Sequence, residues 1–237
     1  MSSLPPDPAA AAGILPWERR RDLDPFHAFV ETIKLFVTRP DEAWRITPER
    51  GGFESPLLFG LIVSFLGAAV SFVYRWVFVS PWIRMFPPAA FRRWGGVPWW
   101  AMGRRPSGCA IVAWPFAAAF AILCGLFIGA AILHLFVLIV GAARSSASGF
   151  EGTFRVVAYS SVSSLAQVIP IFGGLVAFVW WIVLAVKGIT RLHRATPGRA
   201  LAAVLVPIVL VFGVVVLCAV VVFGLLMATH RGSSYSL

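Results

Sequence analysis

The sequence predicts an all-α fold: a polytopic membrane helix bundle with five transmembrane helices, the third and fourth forming a short hairpin, preceded by an N-terminal amphipathic interfacial helix. Three observations carry this prediction. Of 237 residues, 59% are hydrophobic and 13% charged, against about 45–50% and about 25% in soluble domains. The apolar residues gather in runs, most of them long enough to cross a hydrocarbon core of about 30 Å. The charge is split: residues 1–54 carry 7 Lys/Arg and 9 Asp/Glu, while residues 55–237 carry 13 Lys/Arg and a single acid, Glu151. Basic groups in so apolar a chain fit arginines beside lipid phosphates rather than a solvated nucleic-acid-binding face. The shortage of carboxylates also removes the usual ligands for metals and for acid–base catalysis. No catalytic, cofactor-binding or metal residue is therefore assigned, and no nucleic-acid partner is expected.

Residues 1–23, rich in Pro and Ala and lacking the basic-then-apolar pattern of a signal peptide, read as a disordered leader. Residues 24–54 form the interfacial segment. Asp24 can cap the free N–H groups of a helix and Pro25 suits its first position. Phe26, Phe29, Val30, Ile33, Phe36 and Val37 then recur at helical spacing. About twelve residues reach only some 18 Å, too short to cross. The helix is expected to lie on the headgroups with Phe26, Phe29, Ile33 and Phe36 turned to the lipid. Pro40 ends it, Asp41 to Arg45 with Trp44 add one turn, and Gly51-Gly52 break the chain.

The transmembrane domain is assigned to residues 55–229, with 230–237 as a tail. Leu57 to Val79 contain one charge, Arg75, near enough to the end to snorkel. Residues 80–108, with five prolines, four tryptophans (Trp82, Trp94, Trp99, Trp100) and five arginines, suit the interface. The second span runs from about Val112 to Val140, and Ala117, Ala121, Gly125 and Gly129 form a small-residue stripe along it. Such a stripe packs within the bundle or marks a homodimer face, and the first is the commoner use. The third segment, Phe154 to Ile169, is the most polar. Pro170 with Gly173-Gly174 turns the chain, and Leu175 to Val186 continue with Trp180-Trp181. Each arm is short, so the pair forms either a thin transmembrane hairpin or a re-entrant one. Leu201 to Met227 make the last span. Cys109, Cys124 and Cys218 are too scattered for a disulfide or zinc framework and read as small core residues. With the N-terminus in the cytoplasm, that side holds 13 Lys/Arg against 6 outside, which places the C-terminus outside.

The stretch Phe29-Val-Glu-Thr-Ile-Lys-Leu-Phe-Val-Thr-Arg-Pro40, then Ala43-Trp44, Gly51-Gly52 and Ser55-Pro56-Leu57-Leu58-Phe59-Gly60, resembles the opening of bacterial members of the Yip domain family, named for Ypt/Rab-interacting proteins. His134, Gly141, Phe150, Thr153-Phe154-Arg155-Val156, Ala158-Tyr159-Ser160, Ile169-Pro170, Trp180 or Trp181, Gly188, His193, Arg199-Ala200 and Pro207 follow in the family's order. The resemblance covers about residues 26–228. It implies a five-span integral protein of the bacterial inner membrane with a cytoplasmic N-terminus, and it implies no reaction. Eukaryotic relatives are associated with Rab-type GTPases. Their Asp-Leu-Tyr-Gly-Pro motif is replaced here by Phe53-Glu54-Ser55-Pro56, so GTPase binding does not carry over.

Several residues invite a functional and a plainer reading. Glu151 is the lone acid of the apolar part, yet Ser148-x-x-Glu151 has capping-box spacing and Arg155 stands one turn on as an ion-pair partner. His134 either relays protons or holds a ligand with Tyr159, or else hydrogen-bonds a serine, Tyr159 or a carbonyl; a relay wants a second acid or base, and none is evident. Gln167 and Pro170 complete the polar candidates. Ser160, Ser161, Ser163 and Ser164 lack a nucleophile elbow and His/Asp partners, and are expected to bond earlier carbonyls or pack small. Lys187, Arg191, His193, Arg194 and Arg199 form a basic loop that either binds anionic headgroups or an acidic partner, or only sets topology. The expected function is that of a non-enzymatic membrane adaptor, scaffold or organiser, meeting the lipid bilayer, anionic lipids and a second copy or another membrane protein. The alternative is a small-solute transporter or channel along the polar third segment.

Overall fold

Asp24 opens the first long helix: its carboxylate accepts the His27 N–H at 2.8 Å, and Pro25 occupies the first position. In the computed structural model, which describes residues 13–74, 77, 108–143 and 148–232, this helix is α1, Pro25–Thr38. Arg39 leaves helical geometry before Pro40, so the expected extra turn becomes a separate helix, α2, Pro40–Ile46. There follow α3 (Glu54–Tyr74), α4 (Gly108–Ile139), α5 (Gly149–Ser160), a 3₁₀ segment (Ser161–Val168), α6 (Gly173–Leu192) and α7 (Pro197–Gly232). No strand occurs among the described residues. Residues 1–12 of the expected leader, the tryptophan- and arginine-rich 80–107, Arg75 and residues 233–237 of the expected tail lie outside them.

Four helical stretches are long and apolar enough to cross a membrane: Glu54–Tyr74, Ile111–Ile139, Gly173–Leu192 and Pro197–Gly224. The fourth arm of the sequence reading is thus a full-length helix. The third differs. Its α-helical part stops at Ser160 and tightens into 3₁₀ geometry, and α5 is buried from Gly152 to Ser160. It forms the centre of the bundle, flanked by α3, α4 and α6.

Close approach around that centre depends on glycines. A Cβ on Gly67 would meet the Ser164 carbonyl oxygen at 2.9 Å, and one on Gly60 the Ala158 Cα at 3.2 Å. On α6, a Cβ on Gly188 would meet both Trp44 and Val156 at 2.9 Å. The stripe on α4 behaves otherwise: Ala117 and Ala121 are exposed, Gly125 has nothing within 4 Å, and only Gly129 faces the interior, with Val157 at 3.9 Å. Backbones in apolar surroundings gain van der Waals contact where side chains are smallest, and here the small residues that matter are on α3 and α6. Cys109 and Cys218 are exposed and Cys124 is half-buried, which corrects their reading as core residues.

A second correction concerns the N-terminus. Residues 13–23 are ordered as part of the fold. Pro16–Arg19 form a 3₁₀ turn, Leu15 N–H donates to the Ile46 carbonyl at 3.2 Å, and Trp17 inserts beneath α1. Its indole Nε1 donates to the Ser55 carbonyl at 2.7 Å, and its ring lies 5.7 Å from Phe29 and 5.8 Å from Phe59. Much of the apolar face of α1, Phe36 above all, accordingly packs on protein, which corrects its assignment to lipid. Phe36 is fully buried and stacks on Tyr159 at 5.4 Å, while Phe29 and Ile33 close against the core; Phe26, Val30 and Val37 alone remain exposed. The 3₁₀ turn, α1 and α2 thus form a cap over one end of the bundle.

Truncating this anchor tests the cap. Trp17→Ala should lower stability by about 3–5 kcal/mol, as for other buried aromatics, and open the segment before α1 to limited proteolysis. A disordered leader would leave both the unfolding midpoint and the cleavage pattern of the detergent-solubilised protein unchanged.

Candidate functional site

Helix α5 carries two polar clusters on different faces. Glu151, Arg155 and Tyr159 recur every four residues and share one side, whereas Thr153 points away from them. Both sides are buried, so each cluster must be completed by groups from other elements.

The first cluster is built on Arg155, whose side chain is 0% exposed. Its Nη1 donates to Glu18 at 2.6 Å, its Nη2 to the Gly52 carbonyl at 3.0 Å and its Nε to Glu151 at 3.4 Å. The same Glu18 oxygen accepts the Tyr159 hydroxyl at 2.6 Å. Glu151 in turn accepts the backbone N–H groups of Gly51 at 2.6 Å and Gly52 at 2.8 Å. Gly51 (φ +146°) and Gly52 (φ +84°) hold conformations that favour glycine, and a Cβ on Gly51 would lie 2.9 Å from the guanidinium. The glycine pair is therefore a receptor for the carboxylate of Glu151 and more than a helix break. The ion pair expected between Glu151 and Arg155 is present, but the capping box is not: Ser148 makes no side-chain cap, and Glu151 is turned to the glycines. Tyr159 belongs to this cluster and not to His134.

The second cluster is a hydrogen-bonded chain. His134 Nδ1 lies 2.8 Å from Thr153 Oγ1, which lies 2.9 Å from His193 Nε2; His193 Nδ1 lies 3.4 Å from Ser148 Oγ, which donates to the Leu192 carbonyl at 2.9 Å. A carbonyl only accepts, and this fixes the direction of the rest. Ser148 uses its proton on Leu192 and accepts from His193 Nδ1–H, so Nε2 is bare and takes the Thr153 proton, and Thr153 accepts from His134. The partner of His134 is thus a threonine, and the second base that a relay needs is His193. That residue is fully buried and does not belong to the solvated basic loop. Burial, aided by His134 and opposed by Glu49, lowers the His193 pKa from the usual 6.5 to about 4.

The other candidates are dispersed. Lys187 pairs with Asp41, and Arg194 reaches Glu49 at 3.1 Å. Arg191 and Arg199 are exposed. Ser161 Oγ donates to the Ala158 carbonyl at 2.6 Å and Ser164 Oγ to the Val63 carbonyl at 3.2 Å, the first within its own segment and the second across to α3. Pro170 lies in a tight turn with Ile171 at φ +66°, and Gln167 is half-buried in the 3₁₀ segment; neither joins a cluster. Glu18, Gly51, Gly52 and Thr153 are the site residues that the sequence reading did not select. Glu18 offered one signal, an acid and a tryptophan next to Arg19-Arg20-Arg21 in an otherwise bland leader.

Two outcomes follow from this geometry. Glu18→Gln should cost about 3 kcal/mol by leaving Arg155 undercompensated, and Arg155→Met a similar amount, while the double variant should lose much less than the sum; thermal unfolding of the three variants measures the coupling. For His193 the unfolded chain takes up a proton below about pH 6.5 and the folded one only near pH 4. Stability is therefore complete above pH 6.5 and falls as pH drops through that window, by on the order of 3 kcal/mol. The unfolding midpoint should decrease between pH 7.5 and pH 5, and His193→Gln should flatten that dependence.

The family model described as the Yip1 domain matches residues 33–220. No curated protein and no solved structure matches the chain. The match takes in α5, every member of its two clusters except Glu18, and the greater part of every long apolar helix; Trp17 also lies before its start. Apolar helices of spanning length, a buried polar centre and a matched region covering most of the sequence lead to one conclusion: the chain belongs to the Yip1 domain family and is a multi-pass membrane protein.

Proposed function

We propose that this protein is a non-enzymatic membrane adaptor or scaffold of the bacterial inner membrane, crossing it five times with its N-terminus and cap in the cytoplasm and its C-terminus outside. The observation that carries this reading is the Glu18–Arg155–Glu151 cluster. Each of its charged groups is engaged by another part of the same chain, an arrangement suited to holding the cap rigidly in place. A rigid cap presents a constant surface to a partner. The fifth pass is α5 with its 3₁₀ continuation: 12 residues of α-helix and 8 of 3₁₀ extend roughly 34 Å, enough for the hydrocarbon core. The exposed Ala117, Ala121 and Gly125 favour close contact with a helix of another membrane protein or a second copy. The basic side formed by Lys187, Arg191, Arg194 and Arg199 faces anionic lipid, and GTPase binding is not part of the proposal.

A second reading, a small-solute transporter or channel, is favoured by the His134–Thr153–His193 chain, which can pass a proton between two imidazoles through one hydroxyl. In-membrane crosslinking followed by purification separates the two. The adaptor reading expects a defined membrane protein recovered in stoichiometric amount. Recovery of none, together with solute flux in proteoliposomes that His134→Ala abolishes, would replace it with the transporter.

A further inference from the structure

Between α2, the last turns of α6 and the start of α7 lies a cleft of about 360 Å³. Val186 and Trp44 line it beside Lys187, and Thr190 and Arg191 continue the lining on the next turn of α6. Trp44 Nε1 is buried without a hydrogen-bond partner among the described residues. Lys187 is tied to the exposed carboxylate of Asp41, whereas Arg191 is exposed and has no ion-pair partner among those residues. Pro197, the first residue of α7, closes the far side, bringing the positive end of a 36-residue helix to the cleft.

We propose that this cleft binds the phosphodiester of an anionic glycerophospholipid, Lys187 and Arg191 holding the phosphate and Val186, backed by the buried ring of Trp44, receiving the glycerol and first methylenes. The inference rests on the reading that this basic side faces the membrane surface. Helix α6 runs without a charge from Gly173 to Val186, so Lys187 stands where the hydrocarbon ends. The order along the helix, apolar and then basic, is the order of a phospholipid from chain to phosphate. Free phosphate would leave the apolar wall unused. A cationic headgroup amine would sit among Lys187, Arg191 and the helix terminus, which favours an anionic lipid over a zwitterionic one. Asp41 is then a competitor that the arriving phosphate displaces from Lys187.

The full-length protein in detergent, titrated with short-chain phosphatidylglycerol and followed by native mass spectrometry and thermal midpoint, tests the site. One retained lipid is expected. Arg191→Gln and Lys187→Gln should each weaken it by about tenfold. Asp41→Asn should tighten it, an outcome that damage to the fold cannot imitate. Arg199→Gln, basic and on the same side but outside the cleft, should leave it unchanged, and lipid-free midpoints should match wild type for Arg191→Gln. Equal weakening by Arg199→Gln would mean diffuse surface charge and overturn the cleft while sparing the basic-side reading. No binding of phosphatidylglycerol by any form would overturn both. Equal binding of phosphatidylethanolamine, or full competition by inorganic phosphate, would overturn the anionic-lipid assignment.

Discussion

A guanidinium with no access to solvent dictates how the parts of this protein are joined. Arg155 in an apolar bundle would cost several kcal/mol if left uncompensated, and α5 itself supplies one weak partner, Glu151 at 3.4 Å. The remaining compensation comes from Glu18, 137 positions earlier, and from the Gly52 carbonyl, 103 positions earlier. The N-terminal turn, the glycine loop before α3 and the central helix are thereby held to one another. Removing any of them strands a charge, so the cap and the bundle behave as one unit.

That unit explains several features that look unrelated along the chain. Gly51 and Gly52 adopt unusual backbone conformations because their N–H groups must converge on a single carboxylate oxygen. Trp17 is buried because the turn bearing Glu18 has to sit deep enough to reach Arg155 and Tyr159. The 3₁₀ segment after α5 survives within the bundle because it is enclosed by α3 and α6, where irregular helix need not meet lipid. Gly67 lets α3 approach the Ser164 backbone closely enough to enclose it.

On the other side of α5, the His134–Thr153–His193 chain shows what burial does to residues that look alike in a sequence. His193 stands between Arg191 and Arg194 and reads as one of three basic neighbours. In the fold it turns inward at the end of α6, where burial holds it neutral to lower pH, while Arg194 remains outside on Glu49. Helical phase at a chain reversal decides between these fates, and the final turn of a helix is where sequence periodicity defines phase least well.

Class, helix positions and membrane residence were legible in the residues themselves, because they depend on local quantities: apolar run length, the spacing of Phe and Leu, Asp24-Pro25 at a helix start and the near absence of acids. His134, Glu151, Arg155 and Tyr159 were also legible as individuals, since polar groups are conspicuous in an apolar chain. One pairing, Glu151 with Arg155 a turn later, is legible too, because it is local; the more distant partners are not. A local rule offers Ser148 to Glu151, whereas two glycines a hundred residues away are its donors; for His134 the spacing leaves a serine, Tyr159 or a carbonyl open, whereas Thr153 stands on the correct face. The apolar face of α1 reads as a membrane face, because a hydrophobic stripe is the same whether lipid or protein covers it. The sequence by itself determined which groups must be buried or satisfied. Only the tertiary structure decided by whom, because a hydrogen bond or an ion pair is fixed by proximity in space, and residues 137 positions apart become neighbours only once the chain has folded.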